Sequence, residues 1–196
     1  LKALSLFSSA GIGDLGVQAA GVQVVLANEL LGQRVALYRE NFKHEILEGD
    51  IRQLKKQIVA STSNALGDDE LFLLYATPPC QGMSSNGMGK LKAEIASGRR
   101  DAEDARNRLI IPTMDIAVEL RPRWLLLENV PGMESTVIRT TGTRTANIID
   151  YVKRRLGAEY IGRAEVIACE DFGIPQRRKR LITIFTRDPV GKKYFE

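Results

Sequence analysis

Apolar residues along this chain gather into short unbroken runs, separated by polar stretches in which they recur at helical spacing. Ala3 to Phe7 is the first run and ends in Ser8-Ser9-Ala10-Gly11; Val22 to Ala27 is the second and ends in Asn28-Glu29. Both predict buried parallel strands. Between them Asp14 to Ala20 has room for a short helix, and Leu31 to Asn41 predicts another, with Leu31, Val35, Ala36 and Phe42 as its apolar positions. Gly49-Asp50-Ile51 marks a strand-to-helix turn, a polar stretch follows around Ser61 to Asp69, and Leu71 to Tyr75 predicts the next strand. Residues 84 to 106 are rich in Gly, Lys, Arg and Ser with little periodicity, which in a compact domain predicts a long functional loop. Leu109 to Leu120 predicts a helix, Trp124 to Leu127 a strand and Ala146 to Leu156 a helix; strands are then expected at Ile161 to Ala168 and Leu181 to Phe185. There are no internal repeats. Alternating strand and helix with near-continuous apolar strands predicts an α/β fold, Rossmann-like and doubly wound. Its mostly parallel sheet carries helices on both faces, with ligands at the carboxyl ends of the strands.

Composition changes this picture little. With 196 residues, 44% of them hydrophobic and 27% charged, the chain fits one globular domain. No apolar stretch approaches the roughly 20 residues that cross a bilayer, and no cleavage signature follows the first run, so a soluble cytoplasmic protein without a membrane partner is expected. The first residue is Leu1, which suggests an excised domain or a start further upstream. A net charge of +4 permits a polyanionic partner without requiring one. The two cysteines, Cys80 and Cys169, sit in different settings and predict neither a disulfide framework nor a metal site.

The candidate chemistry lies at strand ends. Gly11-Ile12-Gly13-Asp14-Leu15-Gly16 follows a strand and spells G-x-G-x-x-G, and Glu29 ends the next strand, where a carboxylate can accept hydrogen bonds from ribose hydroxyls. That pattern suits NAD, FAD or S-adenosylmethionine alike, and a helix-entry turn without a ligand would look the same. Tyr75-Ala76-Thr77-Pro78-Pro79-Cys80-Gln81-Gly82 sets a thiol just beyond a buried strand, on a segment stiffened by two prolines. A thiol of pKa about 8.5 needs nearby positive charge to react near neutrality, and the basic loop that follows can supply it. Cys169, in an apolar strand-like context, reads instead as a small buried hydrophobe. Glu128 ends another strand at the same rim, and burial there would raise its carboxyl so that it could donate to a ring nitrogen. Gln176-Arg177-Arg178-Lys179-Arg180 precedes the last strand; a solvated basic turn is the plain reading, but alternation points Arg178 and Arg180 to one side. His44, the only histidine, has no metal-ligand spacing and reads as surface or helix-end structure.

In order and spacing these segments resemble the motifs of the DNA cytosine-5 methyltransferases. Phe7-Ser8-Ser9-Ala10-Gly11-Ile12-Gly13 is similar to the family's first motif, Asn28-Glu29 to its ribose position and Gly49-Asp50-Ile51 to its adenine position. Pro79-Cys80-Gln81 resembles the catalytic motif, Arg106-Asn107 the end of the catalytic loop, Glu128-Asn129-Val130 the glutamate motif and Gln176 to Arg180 the Gln-x-Arg-x-Arg motif.

The resemblance implies S-adenosylmethionine as cofactor, held by Phe7, Ala10, Gly11, Gly13, Glu29, Leu30, Asp50, Ile51 and Pro79. It implies catalysis by Cys80, Glu128, Arg178 and Arg180, and contact with double-stranded DNA through Gln81, Ser84 and Arg106. In that reaction Cys80 attacks carbon 6 of a flipped-out cytosine, Glu128 engages N3 and the exocyclic amine, and Arg178 meets O2. The whole of 1–196 is then one catalytic and cofactor-binding domain. The target-recognition region, its supporting arginine motif and the C-terminal Asn-containing motif are not in residues 181 to 196. They are expected in the same longer chain or in a second subunit, and this chain alone is expected to be weak or inactive. A tRNA substrate, or a non-catalytic subunit that binds cofactor or DNA, are the other readings of the same motifs; a restriction-modification system is the expected setting.

Overall fold

A computed structural model describes residues 1–79, 105–142 and 144–195. The first two strands, β1 (Lys2–Leu6) and β2 (Gln23–Glu29), flank helix α1 (Ile12–Ala19); α2 (Gly32–Asn41), β3 (Glu45–Glu48) and α3 (Ile51–Leu66) follow, leading to β4 (Leu73–Ala76). After a 3₁₀ turn at Ala105–Leu109 come α4 (Ile110–Leu120), β5 (Trp124–Asn129) and a second such turn at Pro131–Ser135. A small hairpin of β6 (Val137–Arg139) and β7 (Thr145–Asn147) precedes α5 (Ile148–Leu156), β8 (Ile161–Ala168), β9 (Lys179–Thr186) and the one-turn α6 (Pro189–Lys192).

Seven strands form one sheet in the order β3-β2-β1-β4-β5-β9-β8, parallel except for β9, which runs against both neighbours. The strand order reverses between β1 and β4, so a crevice opens there at the carboxyl ends, where sheets of this kind hold ligands. This is the expected doubly wound, mostly parallel sheet.

The largest core lies on one face, under α3, α4 and α5, where Leu4, Leu74, Leu125, Met114 and Val152 are almost wholly buried. On the other face α1 and α2 cover β1 to β3 with two smaller clusters, one around Val24 and one around Tyr38 and Phe42.

Helix ends are set by local chemistry. Asp50 caps α3 by accepting from the Arg52 amide at 2.8 Å, and Gly67, at φ 61°, takes the left-handed turn that ends it. Asn147 caps α5 through the Ile149 amide at 2.8 Å, and Lys153, Arg154 and Arg155 lie in its last turn, on the favourable side of the helix dipole.

Several expectations shift. The polar stretch from Ser61 is mostly helix, because α3 buries only Ile51, Ile58, Thr62 and Leu66 and leaves its other faces wet. In α2, Val35 is buried as expected, but Leu31 and Ala36 are exposed and Tyr38 takes the place beneath the helix. Cys169 is half-buried in a 3₁₀ turn after β8, not a buried strand residue. The β6–β7 hairpin has no counterpart in the apolar pattern. Of the expected loop 84–106, only Ala105 and Arg106 lie among the described residues.

Candidate active site

The turn after β1 is the most constrained backbone at the crevice. Phe7 (φ 59°) and Ser9 (φ 53°) are both left-handed without being glycine, a conformation that costs on the order of 1–3 kcal/mol per residue and concentrates at functional sites. Glu29 holds the turn in place. Its buried carboxylate accepts from the Ser9 amide at 2.8 Å and from the Leu30 and Leu31 amides at 3.0 Å each. Thr77 donates to the Phe7 carbonyl at 3.0 Å, which ties the same turn to the end of β4. Asn28, also buried, donates to the carbonyls of Leu47 (2.9 Å) and Gly49 (3.1 Å) and fixes the end of β3 beside β2.

These strand ends enclose a cavity of about 570 Å³. Phe7, Glu29, Leu30, Asp50 and Ile51 line one end of it; Pro79, Arg106, Glu128, Arg178 and Arg180 line the other. Asp50 is paired with Arg52, whose hydrogen bond holds its carboxyl below the usual carboxylate range.

Ala10, Gly11 and Gly13 are not in the cavity wall, and the two glycines have internal reasons to be small. A Cβ on Gly11, whose φ is 88°, would collide with the Phe42 ring; one on Gly13 would collide with the Tyr75 hydroxyl. Gly16 has open space around it.

At the second end Glu128 forms an ion pair with Arg180 at 2.7 Å. The Glu128 side chain is half-buried, not enclosed as expected, and is already paired with a guanidinium. Arg178 reaches the same cavity, so alternation does bring both arginines to one side.

Asn129, which burial hides almost completely, donates to the Pro78 carbonyl at 3.0 Å and accepts from the Val130 amide at 2.9 Å. It therefore fastens the end of β5 to the proline segment that leads to Cys80. Cys80, Gln81 and Ser84 lie outside the described residues. Both flanks of the undescribed segment, Pro79 before it and Arg106 after it, are in the cavity wall.

Asn129, which lines the cavity, was not identified as a site residue from sequence, and neither was Tyr75, whose hydroxyl lies against Gly13 behind it. The Tyr75 hydroxyl is pushed up to about 12, by burial first and then by the charges of Glu128 and Asp14, so it stays protonated as an uncharged donor. A phenol at the end of an otherwise apolar run was the only signal for it.

A buried polar chain runs under α1 and α2. Ser5 and Tyr38 donate to the two oxygens of Asp14 at 2.6 and 2.5 Å, and Tyr38 meets His44 Nε2 at 2.5 Å. Burial raises the Asp14 carboxyl against the pull of both hydrogen bonds, and burial lowers His44. His44 is thus a half-buried partner of Tyr38, structural as expected but not a surface residue.

A family model for C-5 cytosine-specific DNA methylases matches residues 1–195. The chain belongs to that family. Among its relatives is the Type II methyltransferase M1.HgaI of Avibacterium volantium, 34% identical over 183 residues that cover 93% of this chain and 49% of that protein. Another is M.FnuDI of Fusobacterium nucleatum, 28% identical over the whole chain and 50% of its own length. The chain thus spans about half the length of these curated relatives. Among solved structures, a putative DNA modification methyltransferase from an E. coli prophage matches with a TM-score of 0.71 at 24% identity, over 95% of this chain and 46% of that one. The S. pombe Dnmt2 methyltransferase matches at 0.66 and 22%, over 95% of this chain and 50% of that one. Both likenesses concern the fold. Among the described residues no helix is long and apolar enough to cross a membrane, and none of the His, Cys, Asp and Glu side chains group as a metal site.

Proposed function

We propose that the protein methylates carbon 5 of cytosine in double-stranded DNA with S-adenosylmethionine as donor. The observation that carries this reading is one cavity with two chemically different ends. Phe7 and Ile51 offer apolar walls to a planar base, and Glu29 and Asp50 offer acceptors for hydroxyls and an amine, which fits the adenosine part of the cofactor. Glu128 and Arg180 offer an acceptor beside a donor, which fits the amine, ring nitrogen and carbonyl edge of cytosine.

When bound, the cofactor supplies an electrophilic methyl group. The chain's own residues prepare the cytosine for it. Carbon 5 is a weak nucleophile until a thiolate adds at carbon 6, and Cys80 is assigned that addition. Electrons displaced into the ring are stabilised by Glu128 at N3 and the exocyclic amine, and by Arg178 and Arg180 at O2. Asn129 acts as a positioning residue, fixing the Pro78-Pro79 approach to the thiol. Arg106 and the basic segment before it are assigned to phosphates, with Gln81 and Ser84 beside the flipped base; Ala10, Gly11 and Gly13 are assigned to the amino-acid end of the cofactor. Removal of the carbon 5 proton and departure of the cysteine complete the cycle.

The recognition region expected in the family, in the same polypeptide or a second subunit, would choose the DNA site, in a restriction-modification setting in the cytoplasm. Bisulfite sequencing of host DNA after expression of the natural polypeptide, with any partner subunit, tests the reading. Sequence-specific cytosine methylation lost in Cys80→Ser supports it. No methylation from a folded, cofactor-binding protein overturns it in favour of RNA or of a silent subunit.

A further inference from the structure

We propose that a cleft between the β6–β7 hairpin and α5 binds a backbone phosphate of the DNA, outside the cavity assigned to the target base. The inference rests on the DNA reading above. The cleft measures about 860 Å³, and Arg144, Arg154 and Arg155 line it together with Thr140, Thr141 and Thr145.

Its charges are unbalanced in a specific way. Asp115, the one carboxylate in the described wall, is already satisfied twice, by Lys55 and by Arg155, each at 2.8 Å. Arg155 also donates to the Tyr151 hydroxyl at 2.9 Å, so its guanidinium is fixed. Arg154 lies 6.0 Å from the centre of the Tyr151 ring, and neither it nor Arg144 has a carboxylate partner among the described residues. Among the described residues, two guanidinium groups therefore line one polar cleft whose carboxylate, Asp115, is already paired with other cations. The tip that carries Arg144 is held by its own backbone: the Thr140 amide donates to the Arg144 carbonyl at 2.8 Å, and the Arg144 amide to the Thr141 carbonyl at 3.1 Å. Arginines beside hydroxyl donors are the donor set that phosphodiesters take, because they offer several hydrogen bonds to oxygens that carry charge.

Position agrees with chemistry. The hairpin springs from the rim next to Glu128, and its base is fixed by the Asn147 side chain donating to the Glu134 carbonyl at 2.7 Å. Strand β6 packs against the Ala105–Leu109 turn, and Arg106 and Leu109 of that turn line the target cavity. The same short turn thus lines the target cavity and lies against β6, which sets the hairpin beside the cavity, where the proposal places the flanking phosphates of a duplex.

The test is the affinity of the natural polypeptide, with any partner subunit, for a fluorescent duplex across a salt series. Each phosphate contact contributes about 0.9 to the slope of log affinity against log salt. In Arg144→Gln/Arg154→Gln that slope should fall by about 1, and affinity near 0.2 M salt should drop about tenfold, with S-adenosylmethionine binding unchanged. Arg144→Lys/Arg154→Lys should restore most of the slope, and Lys153→Gln, on the same helix outside the cleft, should leave it as in wild type. A wild-type slope in the double Gln variant overturns the proposal, as does an equal loss in Lys153→Gln. If the wild-type protein shows no salt-dependent affinity for duplex DNA, the DNA reading falls first and the proposal with it.

Discussion

The two faces of the central strands β4, β5 and β9 are built from similar residues and treated differently. On the face under α3 to α5, Leu74, Ala76, Leu125, Leu127, Leu181 and Phe185 are buried to within 3% of completeness. On the opposite face Leu73, Tyr75, Leu126, Ile182 and Ile184 are all only half-buried, and the same side of β5 ends in Glu128. Alternation along a strand separates the two jobs. Odd and even positions of one short run divide into residues enclosed beneath the helices and residues that stay partly open, and the cavity itself is lined at the strand ends, by Glu128, Asn129 and Arg180. A large part of the fold's stability therefore sits on the face under α3 to α5.

The largest contrast should appear in stability. Leu125→Ala removes a fully enclosed side chain and should cost about 2–5 kcal/mol, whereas Leu126→Ala, one residue away, should cost less than half as much. Urea unfolding of both variants checks this, and equal losses would erase the distinction between the faces. Next comes the chemistry. Glu128→Gln keeps the shape of the side chain but removes its charge, and methyl transfer should fall by roughly 10²–10³-fold while the melting temperature hardly moves. A rate loss that merely follows unfolding would make Glu128 part of the scaffold instead.

The smallest effect concerns pH and the polar chain under α2. His44 has its folded pKa lowered below 6.5 by burial, so the unfolded chain binds the proton more readily. Its contribution is complete above about pH 6.5 and is lost as pH falls through that value, by about 1 kcal/mol or less down to pH ~5.5 for a half-exposed group. His44→Gln should flatten that part of the stability curve. An unchanged curve would remove His44 from the account.

Much of this was legible in the sequence because the strands of a mostly parallel sheet announce themselves as apolar runs. The ends of those runs marked Glu29 and Glu128, the Gly49-Asp50-Ile51 turn marked Asp50, and alternation pointed Arg178 and Arg180 to one side. What could not be read depended on distance in sequence or on mixed surroundings. Asp14 and Tyr38 are 24 positions apart, and nothing in either neighbourhood marks a buried carboxyl that a tyrosine will satisfy. The three-residue strands β6 and β7 are too short to establish a period, and their hairpin tip is largely polar. A continuous apolar run such as Trp124 to Leu127 implies cover on both faces; that one side is only half covered follows from where the helices pack. Glycine at positions 11 and 13 suggested room for a ligand, while the structure also shows Phe42 and Tyr75 occupying that room.

The most direct measurement of the central claim uses duplex DNA whose target cytosines carry fluorine at carbon 5, incubated with the natural polypeptide and S-adenosylmethionine and analysed by peptide mass spectrometry. Fluorine replaces the proton whose removal releases the enzyme, so the account predicts a persistent covalent link between the DNA and Cys80, absent in Cys80→Ser. A preparation that methylates ordinary cytosine but forms no such link, or forms it through another residue, would contradict it.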